Sequence, residues 1–383
     1  MNISINRERL ATTFTTLCEI DSPSKREGNI SRWLKNTFTE LDADLIYEDN
    51  SAPQTGSESG NLIICFDGNQ PETKGLFFSC HMDTVEPADN VQVVRTKDIF
   101  TSKGDTILGG DDKSGIAAII ELIQLLKENN VNHPMIEIVI TTCEEIGLLG
   151  AKYLEFDKIK STYGYALDSS GINHVVVGAP AANKISVVIK GQAAHAGLCP
   201  EAGINALSIA ATALNSLRMG RLDHESTSNF GIIEGGVAAN IIPEKITLKG
   251  EVRSHSKQKL QHYTKEIEAA FQTAIDSWLP TTEIKDQRPE FEINIVADYP
   301  ALSIPSDAPV LQRLQKGAEA AQKDVKQIVA GGGSDANIFC DKGFQTAIIA
   351  TGMNKVHTID EQLDLDDLTC LTELLLGIVI APA

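Results

Sequence analysis

Acidic and histidine side chains gather at the ends of apolar runs in five places along this chain, a pattern suited to binding divalent cations. LFFSCHMDT ends an apolar run in His81 and adds Asp83 two residues later. A histidine at the carboxyl end of a strand in an open α/β sheet stands where such sheets bind ligands. A carboxylate two residues on could take its second ring N–H and fix the tautomer. LGGDDKSGIAAII places Asp111 and Asp112 after two glycines and ahead of a buried helix. Either could cap that helix, but one cap needs only one carboxylate. IEIVITTCEEIGLLGA runs an apolar strand into Glu144 and Glu145. Adjacent buried carboxylates repel unless cations neutralise them, and a metal-binding Glu beside a general-base Glu would explain the pair. YGYALDSSG is another strand ending in a carboxylate, Asp168, and NKVHTIDEQLDL sets His357 between a strand and the last helix.

Together, two histidines and three carboxylates at strand ends form a mixed N/O ligand set suited to Zn²⁺, or to Mn²⁺ or Co²⁺. The absence of cysteine ligands points to a catalytic site with open positions. Two metals about 3.5–4 Å apart need a bridging ligand, for which a two-oxygen carboxylate is the natural choice.

These residues need elements to hold them. Positions 30, 33, 34, 38 and 41 are apolar at helical spacing, and residues 61–66 and 75–80 read as buried strands bounded by Gly, Asp and Pro. Residues 114–126 are apolar almost all round, as in a helix packed on a sheet. A strand at 136–142, a short helix near 148–154 and a strand at 163–168 complete an α/β order with a largely parallel sheet. The middle differs: strands at 184–190, 230–233, 245–252 and 291–296 alternate with helices at 204–217 and 257–279, a compact ferredoxin-like α+β unit. A helix at 308–321, a strand at 346–350 and a helix at 365–378 resume the first pattern. The expected organisation is therefore a discontinuous catalytic domain, 1–182 and 297–383, with 183–296 inserted as a lid and dimerisation domain.

The chain has 383 residues, 42% hydrophobic and 22% charged, a globular profile. Its net charge of −19 argues against nucleic acid or an anionic membrane as partner, since both would repel it. The first twenty residues have no apolar core after a basic start, and no stretch reaches 18 apolar residues. The seven cysteines are scattered, with no C-x-x-C pair, which fits a reduced cytosol.

The ordered set H-x-D, G-x-D-D-K, E-E-x-G, a later Asp and a late His resembles the di-zinc metallopeptidases that include glutamate carboxypeptidase, succinyl-diaminopimelate desuccinylase and peptidase T. The resemblance covers essentially the whole chain and looks closest to peptidase T-like tripeptide aminopeptidases. It implies two divalent cations, zinc first, bridged by Asp111, with His81 and Asp168 completing one site and Glu145 and His357 the other. It also implies that Asp83 orients His81, that Glu144 is the general base, and that the Asp111–Asp112 peptide is cis. His195, in GQAAHAG, matches a histidine that stabilises the oxyanion, often from a partner subunit; here H-A-G stands where many relatives have H-P-G. Asn240 and Arg253 match positions that bind the substrate's polar end, and Gly332 and Gly333 could offer backbone N–H groups to it.

The implied activity is hydrolysis of short peptides between the two domains, with lid closure and a homodimer through the inserted unit. A deacylase or carboxypeptidase of the same family, acting on N-acyl amino acids, is the alternative. A second di-metal aminopeptidase family shares E-E-x-G-L-x-G-A. There the extra domain falls between the first His and the bridging Asp, whereas His81 and Asp111 are here only 30 residues apart. An inactive metal-binding scaffold fits poorly with a full set of ligands and a base.

Overall fold

A computed structural model gives the fold and describes residues 3–70, 73–281, 283–284 and 286–381. It divides into two compact units: Met1–Gly178 with Ser303–Ala330 and Ser334–Ala383, and Ala179–Leu302 with Gly331–Gly333.

The first unit opens with helices α1 (Arg7–Cys18) and α2 (Gly28–Glu40), then strands β1 (Leu45–Glu48), β2 (Leu62–Phe66) and β3 (Leu76–His81). Helix α3 (Gly110–Glu128) and strands β4 (Ile136–Thr141), β5 (Tyr163–Ser169) and β6 (His174–Ala179) follow. The second unit contributes β7 (Ala181–Lys190), α4 (Ala206–Ser216), β8 (Gly220–Asp223), β9 (Ser226–Gly235), β10 (Lys245–Ser254), α5 (Lys257–Asp276) and β11 (Glu290–Tyr299). The chain then returns to the first with α6 (Pro309–Ala320), α7 (Asp335–Asp341), β12 (Gln345–Ala350) and α8 (Leu365–Ile380).

The main sheet of the first unit runs β1-β2-β4-β3-β5-β12-β6. Its centre is parallel: β3 pairs in parallel with β4 and β5, and β12 with β5. β3 and β4 are buried along their whole length, which is why both are mostly apolar, interrupted only by the buried Ser79 and Glu137 ahead of their polar ends. Since these neighbours run the same way, their carboxyl ends, at His81, Thr141 and Ser169, emerge along one edge of the sheet. Helix α3 packs on β3 and β5. The approach is close at Gly115, where a Cβ would stand 2.8 Å from both Cys80 Sγ and Leu167 Cβ. The helix is preceded by Gly109 in the left-handed region at φ 79°, and its backbone leaves helical geometry at Asp111 and Asp112. The Asp111–Asp112 peptide is cis, as the resemblance implied. No helix among the described residues is long and apolar enough to cross a membrane.

The second unit is an antiparallel sheet in the order β8-β9-β10-β7-β11. Apart from the short β8, the element order is β-α-β-β-α-β, the ferredoxin-like arrangement. α4 and α5 bury Ile209, Ala213, Ile267 and Phe271 in one core with Val187, Ile189, Leu248 and Val252.

The boundaries differ from the expected 182/183 and 296/297: the units change at 178/179 and 302/303, and Gly331–Gly333 join the second. β7 starts at Ala181 and β11 runs on to Tyr299, which pairs with Ala182. Ala181 and Ala182 are both buried, so the alternation that marks 184–190 is missing where the strand begins. Residues 1–2 and 382–383 of the expected catalytic domain lie outside the described residues.

Candidate metal centre

The sheet edge formed by β3, β4 and β5 carries the candidate ligands. His81 is the last residue of β3 and is buried. Its Nδ1 lies 2.9 Å from the main-chain oxygen of Asp83, to which it donates, and its Nε2 faces Asp111 Oδ1 at 3.1 Å. The other oxygen of Asp111, Oδ2, lies 3.2 Å from Nε2 of His357. One carboxylate thus presents an oxygen to each of two imidazoles, the disposition a bridging ligand requires. Glu145 joins them, with Oε1 3.0 Å from His357 Nε2. Ligand atoms of His81, Asp111 and Glu145 all lie within 4.8 Å of one another.

The electrostatics fit the same picture. Burial works to raise the Asp111 carboxyl, yet hydrogen bonds from His357 and His81 outweigh it and hold the group below the usual carboxylate range. Burial raises Asp168, at the end of β5, far above that range, and the Asp111 charge adds to the effect. Burial likewise raises Glu144, with Asp168, Asp335 and Glu145 contributing, and it raises Glu145. The half-exposed His357 is pushed up to about 10 by its hydrogen bonds to Asp111 and Glu145. Five acids crowd round two imidazoles, more negative charge than the side chains can balance, so the donor set fits divalent cations.

Asp83 behaves differently from the expectation. Its main-chain carbonyl accepts from the His81 ring, while its carboxylate stands 3.5 Å from that ring. That carboxylate instead accepts the amides of Glu144 at 2.9 Å and Glu145 at 3.3 Å, and the Ser24 hydroxyl at 2.6 Å. The reason is local: Cys143 takes a left-handed backbone at φ 52°, which turns the next two amides toward β3.

One acid at this edge escaped the sequence reading. Asp335 starts α7, is buried, and accepts the Thr141 hydroxyl at 2.5 Å; burial pushes its carboxyl up to about 6. In sequence it lies in GGGSDA, where an acid after Ser334 is equally a helix-capping signal.

The remaining candidates belong to the second unit and fall into two groups. His195 is exposed and bridges to Ile241, and the neighbouring Ala196 amide donates to the Asn240 carbonyl at 2.9 Å. Arg253 lies on β10 with Nε and Nη2 held by Glu251 at 2.8 and 3.0 Å. Gly332 is beside it, a Cβ there standing 3.6 Å from Arg253 Nη1, and Gly333 abuts the Tyr299 ring. The groups lie at opposite ends of the sheet: Lys245 pairs with Lys190 near His195, and Arg253 with Ala182. Eight residues of strand, about 26 Å at ~3.3 Å per residue, separate them.

Comparison with known proteins places this geometry in context. Residues 77–381 match the model of peptidase family M20/M25/M40. Protein YqjE of Bacillus subtilis (strain 168) is 36% identical over 376 residues, covering 98% of each chain. The structure of aminopeptidase PepT from Bacillus cereus ATCC 10987 superposes with a TM-score of 0.87 at 35% identity, over 98% of both chains. A tripeptidase from Staphylococcus aureus subsp. aureus Mu50 gives 0.91 at 34% identity, again over 98% of both. The chain therefore belongs to peptidase family M20/M25/M40.

Proposed function

We propose that this peptidase is a di-metal aminopeptidase of the cytosol that cleaves short peptides, tripeptides foremost. The observation that carries the reading is the Asp111 carboxylate with one oxygen 3.1 Å from His81 and the other 3.2 Å from His357. Kinship over nearly the whole chain with an aminopeptidase and a tripeptidase supports the substrate class.

In this reading His81, Asp111, Glu145, Asp168 and His357 would hold the two cations, with Asp111 shared between them. Divalent cations bound there, zinc by preference and manganese or cobalt as alternatives, supply Lewis acidity that polarises the scissile carbonyl and makes water nucleophilic at neutral pH. Glu144, its carboxyl raised by burial, takes the proton of the attacking water and returns one to the leaving amine. Asp83 holds the amides on which Glu144 and Glu145 stand. The His195 imidazole donates to the oxyanion, with Asn240 beside it. Arg253, backed by the Gly332 and Gly333 main chain, receives the substrate carboxylate. A tripeptide spans only about 10 Å, short against the eight strand residues between the two groups of the second unit, which favours their serving different active sites. A homodimer through that unit lets both act.

The test is metal-loaded enzyme assayed on matched free and N-blocked di- and tripeptides and on N-acyl amino acids. Cleavage that requires a free amino terminus, fastest for tripeptides, is expected. Preference for the N-acyl substrates would overturn the aminopeptidase reading in favour of a deacylase or carboxypeptidase.

A further inference from the structure

We propose that Glu361 is a positioning residue for the metal centre: its carboxylate fixes the main chain that presents Asp111 and locks that chain to the loop bearing His357. The side chain is 1% exposed. Oε2 accepts the amides of Leu108 at 2.9 Å and Gly109 at 2.8 Å, and Oε1 accepts that of Asp111 at 3.1 Å. With Gly109 left-handed, the segment curls so that its N–H groups converge on one anion, a backbone nest. The fit is close: a Cβ on Gly110 would stand 3.1 Å from Oε1.

The loop that carries Glu361 is itself closed. Asn354 and Gln362 exchange main-chain hydrogen bonds at 3.0 Å in each direction. Inside it, the Thr358 hydroxyl donates to the Lys355 carbonyl at 2.7 Å, and the Glu361 amide donates to the Thr358 carbonyl at 3.1 Å. His357 and Glu361 therefore move as one body. That body holds Asp111 at two points, its side chain through His357 and its amide through Glu361. Two segments some 250 residues apart in sequence are thus joined by main-chain as well as side-chain contacts at the proposed bridge. A bridging carboxylate needs its backbone fixed to within about 0.5 Å, and Glu361 supplies that constraint without touching metal or substrate.

The inference rests on the reading of Asp111 as a metal ligand, and the experiment separates the two. Zn²⁺ affinity is measured by competition with a chromophoric chelator for wild type, Glu361→Gln and Asp111→Asn. Melting of each metal-free protein and the kcat and KM of each zinc-loaded protein are recorded alongside. A glutamine amide must turn its NH2 toward at least one main-chain N–H. Glu361→Gln is therefore expected to bind zinc 10–100-fold more weakly, with metal-free melting close to wild type and kcat reduced more than KM is raised. Should this variant fail to fold, Gly110→Ala, which presses on the carboxylate without removing it, is expected to weaken zinc binding at unchanged metal-free melting. Wild-type zinc affinity in the folded variant, or a loss confined to melting, overturns the role of Glu361. Asp111→Asn binding zinc like wild type overturns the reading beneath it.

Discussion

The Asp83 carboxylate accepts the Glu144 amide at 2.9 Å, so the residue two places beyond one candidate imidazole fixes the backbone of the candidate general base. Asp83→Asn keeps the main-chain carbonyl that orients His81 but sets an NH2 near amides that need an acceptor. We expect kcat to fall roughly 100-fold, the scale of a 1 Å misplacement, while zinc affinity changes less than kcat does. Steady-state kinetics beside a zinc titration checks this. A variant that loses zinc outright and regains full kcat when saturated with it would show that Asp83 acts on the ligands instead.

Glu144→Gln removes the proton acceptor while keeping the shape of the side chain. Turnover should drop by roughly 10²–10⁴-fold, the usual contribution of general acid–base catalysis, with metal content unchanged by elemental analysis. Activity within a few-fold of wild type would end the general-base assignment.

The metal-free centre is a proton store. His357 is raised from 6.5 to about 10 by Asp111 and Glu145, and His81 also lies well above its ordinary value despite burial, through bonds to Asp111 and Asp83. For a raised histidine the sign is clear: the stability it contributes is complete below about pH 6.5 and is lost as pH rises through about 10. A ligating imidazole or carboxylate must give up its proton, so zinc uptake near pH 8 should release protons, the one on His357 among them. Calorimetry in buffers of different ionisation enthalpy reads that release, and a binding heat independent of buffer would contradict it.

Gly115→Ala tests the packing beneath the centre. Its methyl would meet Asp112 Oδ1 at 2.7 Å and Cys80 Sγ and Leu167 Cβ at 2.8 Å, all of them buried. Overpacking of this kind costs about 1–3 kcal/mol, and because Asp112 also accepts the His81 amide, zinc affinity should fall with stability. Chemical denaturation with and without zinc measures both, and an undisturbed midpoint would argue that α3 can slide away from β3.

The strand ends that bear His81 and Asp168 were legible because each closes an apolar run, and β4, β3 and β5 are parallel neighbours whose ends share an edge. What could not be read depends on contacts made only on folding. The direction of the Asp83 carboxylate is set by amides 61 and 62 residues away. The nest around Glu361 exists only when the loop after β12 meets the turn before α3. A small sheet of Val93–Thr96, Ile99–Ser102 and Gln362–Asp364 is not legible in the sequence, nor is β8, since strands of three or four residues are too short to show a period.

The placement of the second unit between Asp168 and His357 has a bearing on how the enzyme comes into being. A ribosome delivers four of the proposed ligands early, then extrudes the whole insertion before the loop with His357 and Glu361 emerges. Until then a nascent chain holds an open acidic half-site with neither its last imidazole nor the clamp behind its bridge. On the proposed ligand set, a product clipped before that loop would lack His357 and Glu361 and is expected to be inactive.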